Sequence, residues 1–324
     1  MKTIGLGNKV KLSEISLGAG GLGWGDSEAE ERCFKIMDLY FELGGRSFDT
    51  ARIYAGGNCD VSLGNWLKSR KVRDEAVIVT KGSHPNLDSM FVSRLSYDEI
   101  ERDLDLSLKA IGTVYSDLHI LHRDDVKKPV EEIVDSLDSL VKSGKTRAIG
   151  VSNWAATRII QANEYAKSAG KNPIVCTQMH YSLALTTTPA TGDLTHVILN
   201  EPDVSWYKES QIALMAFGPQ ARGWFVKRTE GRELDAGLLR YYDYLPENHR
   251  RLERLQKLSK ETGYSLSAIT TAYVRDSGLN ASPLCAYSSI DQLKDSFGAL
   301  EFVLTKEQVR YLETGDKTEK YENE

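Results

Sequence analysis

The sequence has no apolar run approaching the roughly 20 residues that a membrane-spanning helix requires. Its first residues also lack the apolar core and small-residue cleavage site of a secretory signal. Cysteine is scarce, and the four present (Cys33, Cys59, Cys176 and Cys285) include no CxxC pair. These features predict a cytoplasmic protein with reduced thiols, no membrane partner and no zinc or other metal site.

Excess basic charge is missing as well, since 41 lysines and arginines are outnumbered by 46 aspartates and glutamates. Such a chain is a poor candidate for binding nucleic acid. No linker rich in glycine, serine or proline divides the 324 residues. We therefore expect one domain over residues 1–316 and a charged, frayed tail over residues 317–324, as a monomer or a homo-oligomer.

A short β-branched or apolar run followed by an amphipathic helical stretch recurs about eight times along the chain. The predicted strands are residues 14–18, 47–50, 76–81, 117–122, 147–152, 174–180, 212–217 and 282–287. Helix starts are marked by capping-box spacing at Ser27 and Ser96. Strands that alternate with helices form parallel sheets, and eight such units predict an α/β fold of the closed (β/α)8 TIM barrel type.

Two connections are longer than a barrel needs, residues 183–210 after the sixth strand and residues 219–246 after the seventh. Long loops of this kind are usually functional or disordered. Both follow the C-terminal ends of strands, which is the face on which barrel active sites form.

A glycine-rich stretch, Gly18-Ala19-Gly20-Gly21-Leu22-Gly23, matches the G-x-G-x-x-G pattern of dinucleotide-binding domains. In that pattern the third glycine lies within the first helical turn. Here Trp24-Gly25-Asp26 precede the helix cap at Ser27. The spacing favours a barrel loop over a Rossmann domain.

Polar residues follow the C-terminal ends of three successive predicted strands. Asp49, Lys81 and His122 end these strands, and Tyr54 follows Asp49 by five residues. Each residue alone has an ordinary interpretation, as a helix cap, a solvated strand end, a packed ring or a buried imidazole. Together they predict one convergent site at the mouth of the barrel.

The group is suited to donating a proton to a carbonyl. A tyrosine has a pKa of about 10, and a nearby ammonium lowers that pKa. We expect Asp49 to hold Lys81 beside Tyr54, and His122 to orient the carbonyl oxygen. The carbon atom still requires a hydride, which no side chain carries, so a nicotinamide cofactor is implied.

At this point the chain resembles the aldo-keto reductase family over nearly its whole length. The resemblance rests on Phe48-Asp49-Thr50-Ala51 with Tyr54, on Asp60 with Leu63-Gly64, on Thr80-Lys81, on Asp117-Leu118 with His122, on Gly144-Lys145 with Ile149-Gly150-Val151-Ser152-Asn153, and on Gln178. It implies a TIM barrel that interconverts a carbonyl (aldehyde, ketone or sugar) and an alcohol with NADP(H). It also implies that Asp49, Tyr54, Lys81 and His122 are the catalytic tetrad, with Tyr54 as the proton donor.

The same resemblance implies how the cofactor is held. Ser152, Asn153 and Gln178 match positions that hydrogen-bond the nicotinamide carboxamide. Phe217, followed by Gly218, matches an aromatic residue that stacks on the nicotinamide ring. The alternatives are an ordinary strand-to-helix turn at Ser152-Asn153 and core packing of Phe217.

The sequence departs from the family where basic residues usually bind the 2′-phosphate of NADP(H). The positions of the usual lysine or arginine hold Ala286 or Ser288 and Gln292, and Ser296 replaces the usual asparagine. Lys294 is the one basic residue within residues 286–296. Either the enzyme tolerates or prefers NAD(H), or a second set of cations supplies the missing charge, namely Arg222, Lys227 and Arg228. We expect weak discrimination between NADPH and NADH.

Around the substrate, Trp24, His84 and Arg123 occupy neighbouring loops. A rim that mixes tryptophan with arginine, aspartate and histidine suits a polyhydroxylated or acidic substrate such as a sugar. The alternative for Arg123 and Asp124 is ion pairing with other residues.

Two other functions remain open from the sequence. A desolvated Lys81 could form a Schiff base, as in an aldolase, although Asp49 would keep Lys81 protonated. The same scaffold could also serve as a non-catalytic, nucleotide-sensing subunit.

Overall fold

Eight parallel strands form the closed barrel that the sequence predicts. The computed structural model describes residues 1–7, 10–19 and 27–316. The eight strands are adjacent in chain order around the barrel, and the eighth closes it by pairing with both the seventh and the first. The barrel strands are β3 Ser16–Gly18, β4 Ser47–Asp49, β5 Val77–Gly82, β6 Leu118–Leu121, β7 Ile149–Ser152, β8 Ile174–His180, β9 Ala213–Phe217 and β10 Ala281–Cys285. The TIM barrel prediction is confirmed, and a Rossmann domain is excluded.

An antiparallel hairpin of β1 Thr3–Gly5 and β2 Lys11–Ser13 precedes the barrel and was not predicted. Leu12 of the hairpin is fully buried in one cluster with barrel residues such as Val79 and Met215. Ser13 accepts a hydrogen bond from Ser282, near the start of β10. The hairpin therefore closes the N-terminal end of the barrel, opposite the end at which the predicted site lies.

The helices cover the outside of the barrel. They are α1 Ser27–Glu42, α2 Asn58–Arg70, α3 Tyr97–Ile111, α4 Val130–Lys142, α5 Ala156–Ser168, α6 Thr188–Thr191, α7 Glu201–Ser210, α8 Trp224–Thr229, α9 Ala236–Leu238, α10 Pro246–Thr262, α11 Leu266–Asp276, α12 Ile290–Phe297 and α13 Lys306–Thr314. Ser96 and Glu99 form the capping box expected at the start of α3. Ile133, Leu137 and Leu140 are buried on one face of α4, as their spacing predicts.

The two long connections contain local structure. The one after β8 contains α6 and α7, and the one after β9 contains α8, α9 and a π-helical turn over Leu239–Asp243. Both begin at the C-terminal ends of barrel strands, where they can shape a site. The predicted tail, residues 317–324, lies outside the described residues.

Several findings bear on the functional classes considered above. All four cysteines lie within the described residues, are buried and form no disulfide. Among the helices that the structure describes, none combines the length and apolar character needed to cross a bilayer. Within residues 1–7, 10–19 and 27–316, no three or more His, Cys, Asp or Glu side chains are grouped so that they could hold a metal ion.

Candidate active site

The four residues of the predicted tetrad lie together at the C-terminal end of the barrel. Asp49 ends β4, Lys81 lies near the end of β5 and His122 directly follows β6, while Tyr54 opens a 3₁₀ turn over Tyr54–Gly57. The Lys81 Nζ lies 4.9 Å from the centroid of the Tyr54 ring. The ring centroids of Tyr54 and His122 are 5.8 Å apart in an edge-to-face arrangement. The sequence thus identified four side chains that the fold brings into contact range.

Lys81 and Asp49 form a fully buried ion pair, in which the ammonium donates a hydrogen bond to Asp49 Oδ2. Gln178 Nε2 donates to the other carboxylate oxygen at 2.8 Å. Burial alone would lower the pKa of Lys81, but Asp49 and Tyr54 favour the charged form, and the pKa lies above its ordinary value. A protonated amine is not a nucleophile, so this geometry counts against Schiff-base chemistry at Lys81.

The phenol of Tyr54 is held in its protonated form. Burial is the largest influence and raises its pKa, Lys81 opposes this by stabilising the phenolate, and Asp49 adds to the increase. The net pKa lies above the ordinary value, which is opposite to the expected lowering, because burial outweighs the ammonium. Tyr54 therefore carries its proton at neutral pH, and Lys81 is placed to stabilise the anion left when that proton is transferred.

His122 is a neutral imidazole at neutral pH. Burial lowers its pKa well below the ordinary value, and the nearby cations Lys81 and Arg123 lower it further. Its Nδ1 atom is buried and has no hydrogen-bond partner among the residues that the structure describes. A neutral imidazole retains one donor and one acceptor, so His122 can hydrogen-bond an uncharged carbonyl group.

The three residues expected to bind the carboxamide form one hydrogen-bonded group beside Asp49. Ser152 and Gln178 are direct partners in the register of β7 and β8, and Ser152 Oγ donates to the Gln178 carbonyl at 2.7 Å. Asn153 Nδ2 donates to Ser152 Oγ at 3.0 Å. The backbone of Asn153 is left-handed, with φ of 58°. This group links the Lys81–Asp49 pair to the ends of two further strands.

A cleft of about 1010 Å³ runs from the tetrad toward α12. Its lining includes Asp49 and Tyr54 of the tetrad and Asp291 and Asp295 of α12. Its lining includes these residues expected to contact the cofactor: Phe217, Gly218, Arg222, Ser288, Gln292 and Ser296. This volume can hold a dinucleotide, and the aromatic ring, glycines, cations and polar side chains of the lining fit such a cofactor.

The lining of the cleft is mixed in charge. Arg222 and Lys227 contribute to it from the segment after β9, whereas Asp291 and Asp295 contribute from α12. Arg228, the third cation expected here, is instead paired with Asp243 through its guanidinium. Two of the three predicted cations therefore remain available to a phosphate in the cleft.

Gln292 and Ser296 of α12 already have hydrogen-bond partners within the protein. The Oε1 atom of Gln292 accepts hydrogen bonds from the backbone and side chain of Ser288, at 2.9 and 3.0 Å. Ser296 Oγ donates to the Gln292 carbonyl at 2.8 Å and receives a hydrogen bond from Gln220 at 2.6 Å. None of these contacts supplies a positive charge.

The three residues predicted to contact substrate have different outcomes. His84 lies edge-to-face against His122, with ring centroids 4.7 Å apart. Arg123 is buried and pairs with Asp193 at 2.8 Å, which is the ion-pairing alternative and not a free substrate contact. Trp24 lies outside the described residues.

Two further histidines near the cleft were missed by the sequence analysis. The ring centroids of His180 and His196 lie 5.6 and 5.9 Å from that of Phe217. His180 ends β8 as His122 follows β6, so the same strand-end signal could have identified it. His196 lies in an irregular part of the connection after β8, where no periodic pattern marks it.

Comparisons with known proteins agree with this architecture. The Aldo/keto reductase family matches residues 14–316. A putative aryl-alcohol dehydrogenase of Saccharomyces cerevisiae is 31% identical, over 94% of this chain and 83% of its own length. A norsolorinic acid reductase of Aspergillus flavus is 28% identical, over 95% of this chain and 78% of its own length.

Among solved structures, a thermostable aldo-keto reductase in complex with the inhibitor epalrestat has the same fold, with a TM-score of 0.74 and 22% identity. The match covers 97% of this chain and 99% of that one. The family match spans nearly the whole barrel, including the strand ends that carry the tetrad. The chain belongs to the aldo/keto reductase family of NAD(P)-dependent oxidoreductases, which interconvert carbonyls and alcohols.

Proposed function

We propose that this protein reduces a carbonyl compound, or oxidises the corresponding alcohol, with Tyr54 as the proton donor. The observation that supports this most strongly is the buried Lys81 ammonium, held by Asp49 and lying 4.9 Å from the Tyr54 ring centroid. As the Tyr54 proton passes to the carbonyl oxygen, negative charge develops beside this ammonium. That interaction strengthens during the reaction, as transition-state stabilisation requires. The neutral His122 would orient the carbonyl oxygen.

The cofactor, when bound, supplies the hydride that the side chains cannot carry. Ser152, Asn153 and Gln178 would hold its carboxamide, and Phe217 would pack against its nicotinamide ring. Gly218, Arg222 and the polar residues of α12 line the rest of the cleft. Gln178 already donates to Asp49, so it would connect cofactor binding to the buried ion pair.

We also propose that the enzyme discriminates weakly between NADPH and NADH. A 2′-phosphate needs cations, and the lining of the cleft offers Arg222 and Lys227 together with the acidic Asp291 and Asp295, which would offset part of their charge. Paired fluorescence titrations with the two reduced nucleotides should give similar dissociation constants. A preference for NADPH of more than about a hundredfold, or roughly 2.7 kcal/mol, would contradict this proposal.

For the substrate we propose an aromatic aldehyde or the matching alcohol. Relatives carry the names aryl-alcohol dehydrogenase and norsolorinic acid reductase. The loop that follows β5 exposes Leu87, Phe91 and Val92 on the same end of the barrel as the tetrad, which suits an apolar ring. A sugar is the competing substrate, because the sequence places polar residues around the site. Arg123, one of these residues, is paired with Asp193 and is therefore not free to bind a sugar.

The test is oxidation of NADPH or NADH in the presence of aromatic aldehydes and aldose sugars, followed by absorbance. We expect turnover of the aldehydes by the wild-type enzyme and a loss of about 10²–10⁴-fold in Tyr54→Phe, because the acid is removed. Nucleotide affinity should survive in that variant, as fluorescence titration would show. Undiminished turnover by Tyr54→Phe would rule out the mechanism, and nucleotide binding without turnover of any carbonyl would favour a nucleotide-sensing role.

We propose a cytoplasmic location, which is supported by four buried cysteines that form no disulfide.

A further inference from the structure

We propose that residues 193–198, in the connection after β8, form part of the substrate site, and that His196 accepts a hydrogen bond from a substrate hydroxyl. The preferred substrate is then a carbonyl compound that also carries a hydroxyl group. This inference rests on the proposed carbonyl chemistry of Tyr54 and His122. It assigns to the connection after β8 a role in specificity.

Hydrogen bonds join the segment to Arg123, the residue that follows His122. The guanidinium of Arg123 donates to Thr195 Oγ1 at 2.6 Å and to Asp193 Oδ2 at 2.8 Å. Its remaining terminal nitrogen donates to the backbone carbonyl of His122 at 2.8 Å. The Arg123 side chain is only 7% exposed. All three nitrogens are therefore used to hold the segment beside the catalytic strand end, and Arg123 is a positioning residue.

A second attachment joins the segment to the residues expected to bind the carboxamide. The Val197 amide donates to Asn153 Oδ1 at 3.3 Å. Ile198 forms an isolated parallel bridge with His180, the last residue of β8. The segment is thus held on both sides of His196, by Arg123 through Asp193 and Thr195 and by the ends of two barrel strands.

These attachments place the His196 imidazole beside the cleft. Its ring centroid lies 5.9 Å from that of Phe217, which lines the cleft together with Tyr54. Arg123 donates both to the His122 carbonyl and to Asp193 and Thr195, so the segment that carries His196 is held at the strand end that carries His122. A substrate whose carbonyl oxygen lies at His122 can therefore extend toward His196.

The hydrogen-bonding state of His196 determines which substrate group it can bind. Its Nε2 atom lies 3.5 Å from Asp193 Oδ2, which is long for a hydrogen bond, and because a carboxylate only accepts, this contact favours the neutral form with its proton on Nε2. Burial lowers the pKa of His196 to about 4, so the ring is neutral near pH 7. Nδ1 is then an acceptor, buried and without a hydrogen-bond partner in the part of the chain that the structure describes. A hydroxyl group supplies the donor that this atom needs.

The experiment compares the 2-, 3- and 4-hydroxybenzaldehydes with their methoxy analogues, which keep the oxygen but cannot donate. For the wild-type enzyme we expect at least one hydroxyl isomer to exceed its methoxy analogue by about tenfold in kcat/KM, expressed mainly in KM. His196→Ala should reduce this ratio to about one, and His196→Asn, which keeps an acceptor oxygen, should restore part of it. An undiminished ratio in His196→Ala would overturn the inference.

The positioning role of Arg123 is tested with the same ratio. Arg123→Met should lower the hydroxyl-to-methoxy ratio as His196→Ala does, and Arg123→Lys, which keeps a charge for Asp193, should give an intermediate value. Fluorescence titration with NADH reports whether the cleft is intact in each variant. A wild-type ratio in a well-folded Arg123→Met would overturn the positioning role, and if that variant does not fold, a wild-type ratio in Arg123→Lys would do so.

The outcomes separate this inference from the function on which it rests. Turnover of benzaldehyde with no hydroxyl preference at any ring position would overturn only the role of His196. Absence of turnover with every aldehyde and both nucleotides would overturn the proposed function and this inference with it.

Discussion

Lys81 has no exposed surface, and a charged side chain in that position is stable only if its charge is compensated. Asp49 provides the compensation, and the Asp49 carboxylate is itself held by Gln178. The pair therefore fixes a positive charge in a water-poor setting, where its effect on the phenol of Tyr54 is stronger than in water. The same burial keeps Tyr54 and His122 uncharged until the reaction begins.

A pair of variants separates the structural and chemical roles of this charge. Lys81→Met should lower the free energy of unfolding by roughly 3–5 kcal/mol, because it leaves the Asp49 carboxylate buried without its cation. It should also lower kcat by about 10²–10⁴-fold. The double variant Lys81→Met with Asp49→Asn should recover stability in urea unfolding but not turnover. Recovered turnover would show that the ammonium acts only on folding.

Gln292 offers a direct test of cofactor discrimination. Gln292→Arg places a cation beside the residues of α12 that line the cleft, and a charge-assisted hydrogen bond contributes roughly 1.5–3 kcal/mol. NADPH affinity should therefore rise about tenfold or more relative to NADH in fluorescence titrations. Gln292→Met, which loses the same contact to Ser288 without adding charge, is the matched control. Equal gains for both nucleotides would mean that the 2′-phosphate does not reach α12.

How much of the site the sequence predicts depends on where each residue lies. Asp49, Lys81 and His122 were identifiable because each ends an apolar run, and the ends of parallel strands meet at one face. The ion pair between Arg123 and Asp193 could not be predicted, because Asp193 is 70 residues away along the chain and lies outside any regular element. His196 was missed for the same reason.

At the scale of elements, the turn that presents Tyr54 depends on unusual backbone conformations. Ala55, Gly56 and Gly57 all have positive φ, at 48°, 64° and 96°. Below the turn, Arg52 donates to the Gly56 carbonyl at 3.1 Å and pairs with the buried Asp60 at 3.4 Å. Asp60 also accepts hydrogen bonds from Thr50 and Ser107. The position of Tyr54 is thus set by this network.

Substitutions at two adjacent glycines test whether Arg52 holds Tyr54 in place. A Cβ atom at Gly57 would lie 1.8 Å from the Arg52 guanidinium, whereas one at Gly56 would meet nothing within 4 Å. Gly57→Ala should therefore displace Arg52 and lower kcat by about tenfold or more, since small misplacements of a reacting group are costly. Gly56→Ala is the control, because it lowers stability only through the cost of the left-handed backbone, roughly 1–2 kcal/mol, and does not displace Arg52. Similar kcat values in the two variants would show that Arg52 does not position Tyr54.

The sequence predicted the barrel strands better than their ends. The repeat of apolar and helical stretches identified all eight strands. However, β3 and β4 have only three residues each, so their boundaries are set by pairing with neighbouring strands and not by the strand propensity of their own residues. The N-terminal hairpin was missed because its two three-residue strands are joined without a helix and so fall outside the strand–helix repeat on which the prediction rested. Its burial of Leu12 against barrel residues becomes apparent only once the barrel is closed.

At the scale of the whole molecule, buried neutral histidines make folding sensitive to acid. Burial lowers the pKa values of His119, His180 and His196 to about 4, well below the value of about 6.5 expected in an unfolded chain. Below pH 6.5 the unfolded state therefore binds more protons than the folded state. Stability is fully present above pH 6.5 and falls as the pH drops toward 4.

The measurement is the free energy of unfolding in urea between pH 7.5 and 5. Burial also lowers the pKa values of His84 and His122, so five histidines can contribute, and the slope below pH 6.5 should approach roughly 7 kcal/mol per pH unit at most. His119 is the residue to change, because it is fully buried and its Nδ1 contacts Thr80 at 2.9 Å. His119→Gln should reduce the slope by about one proton, or roughly 1.4 kcal/mol per pH unit. A slope equal to that of the wild type would mean that His119 takes up no additional proton on unfolding, and the acid sensitivity would then have to come from other groups.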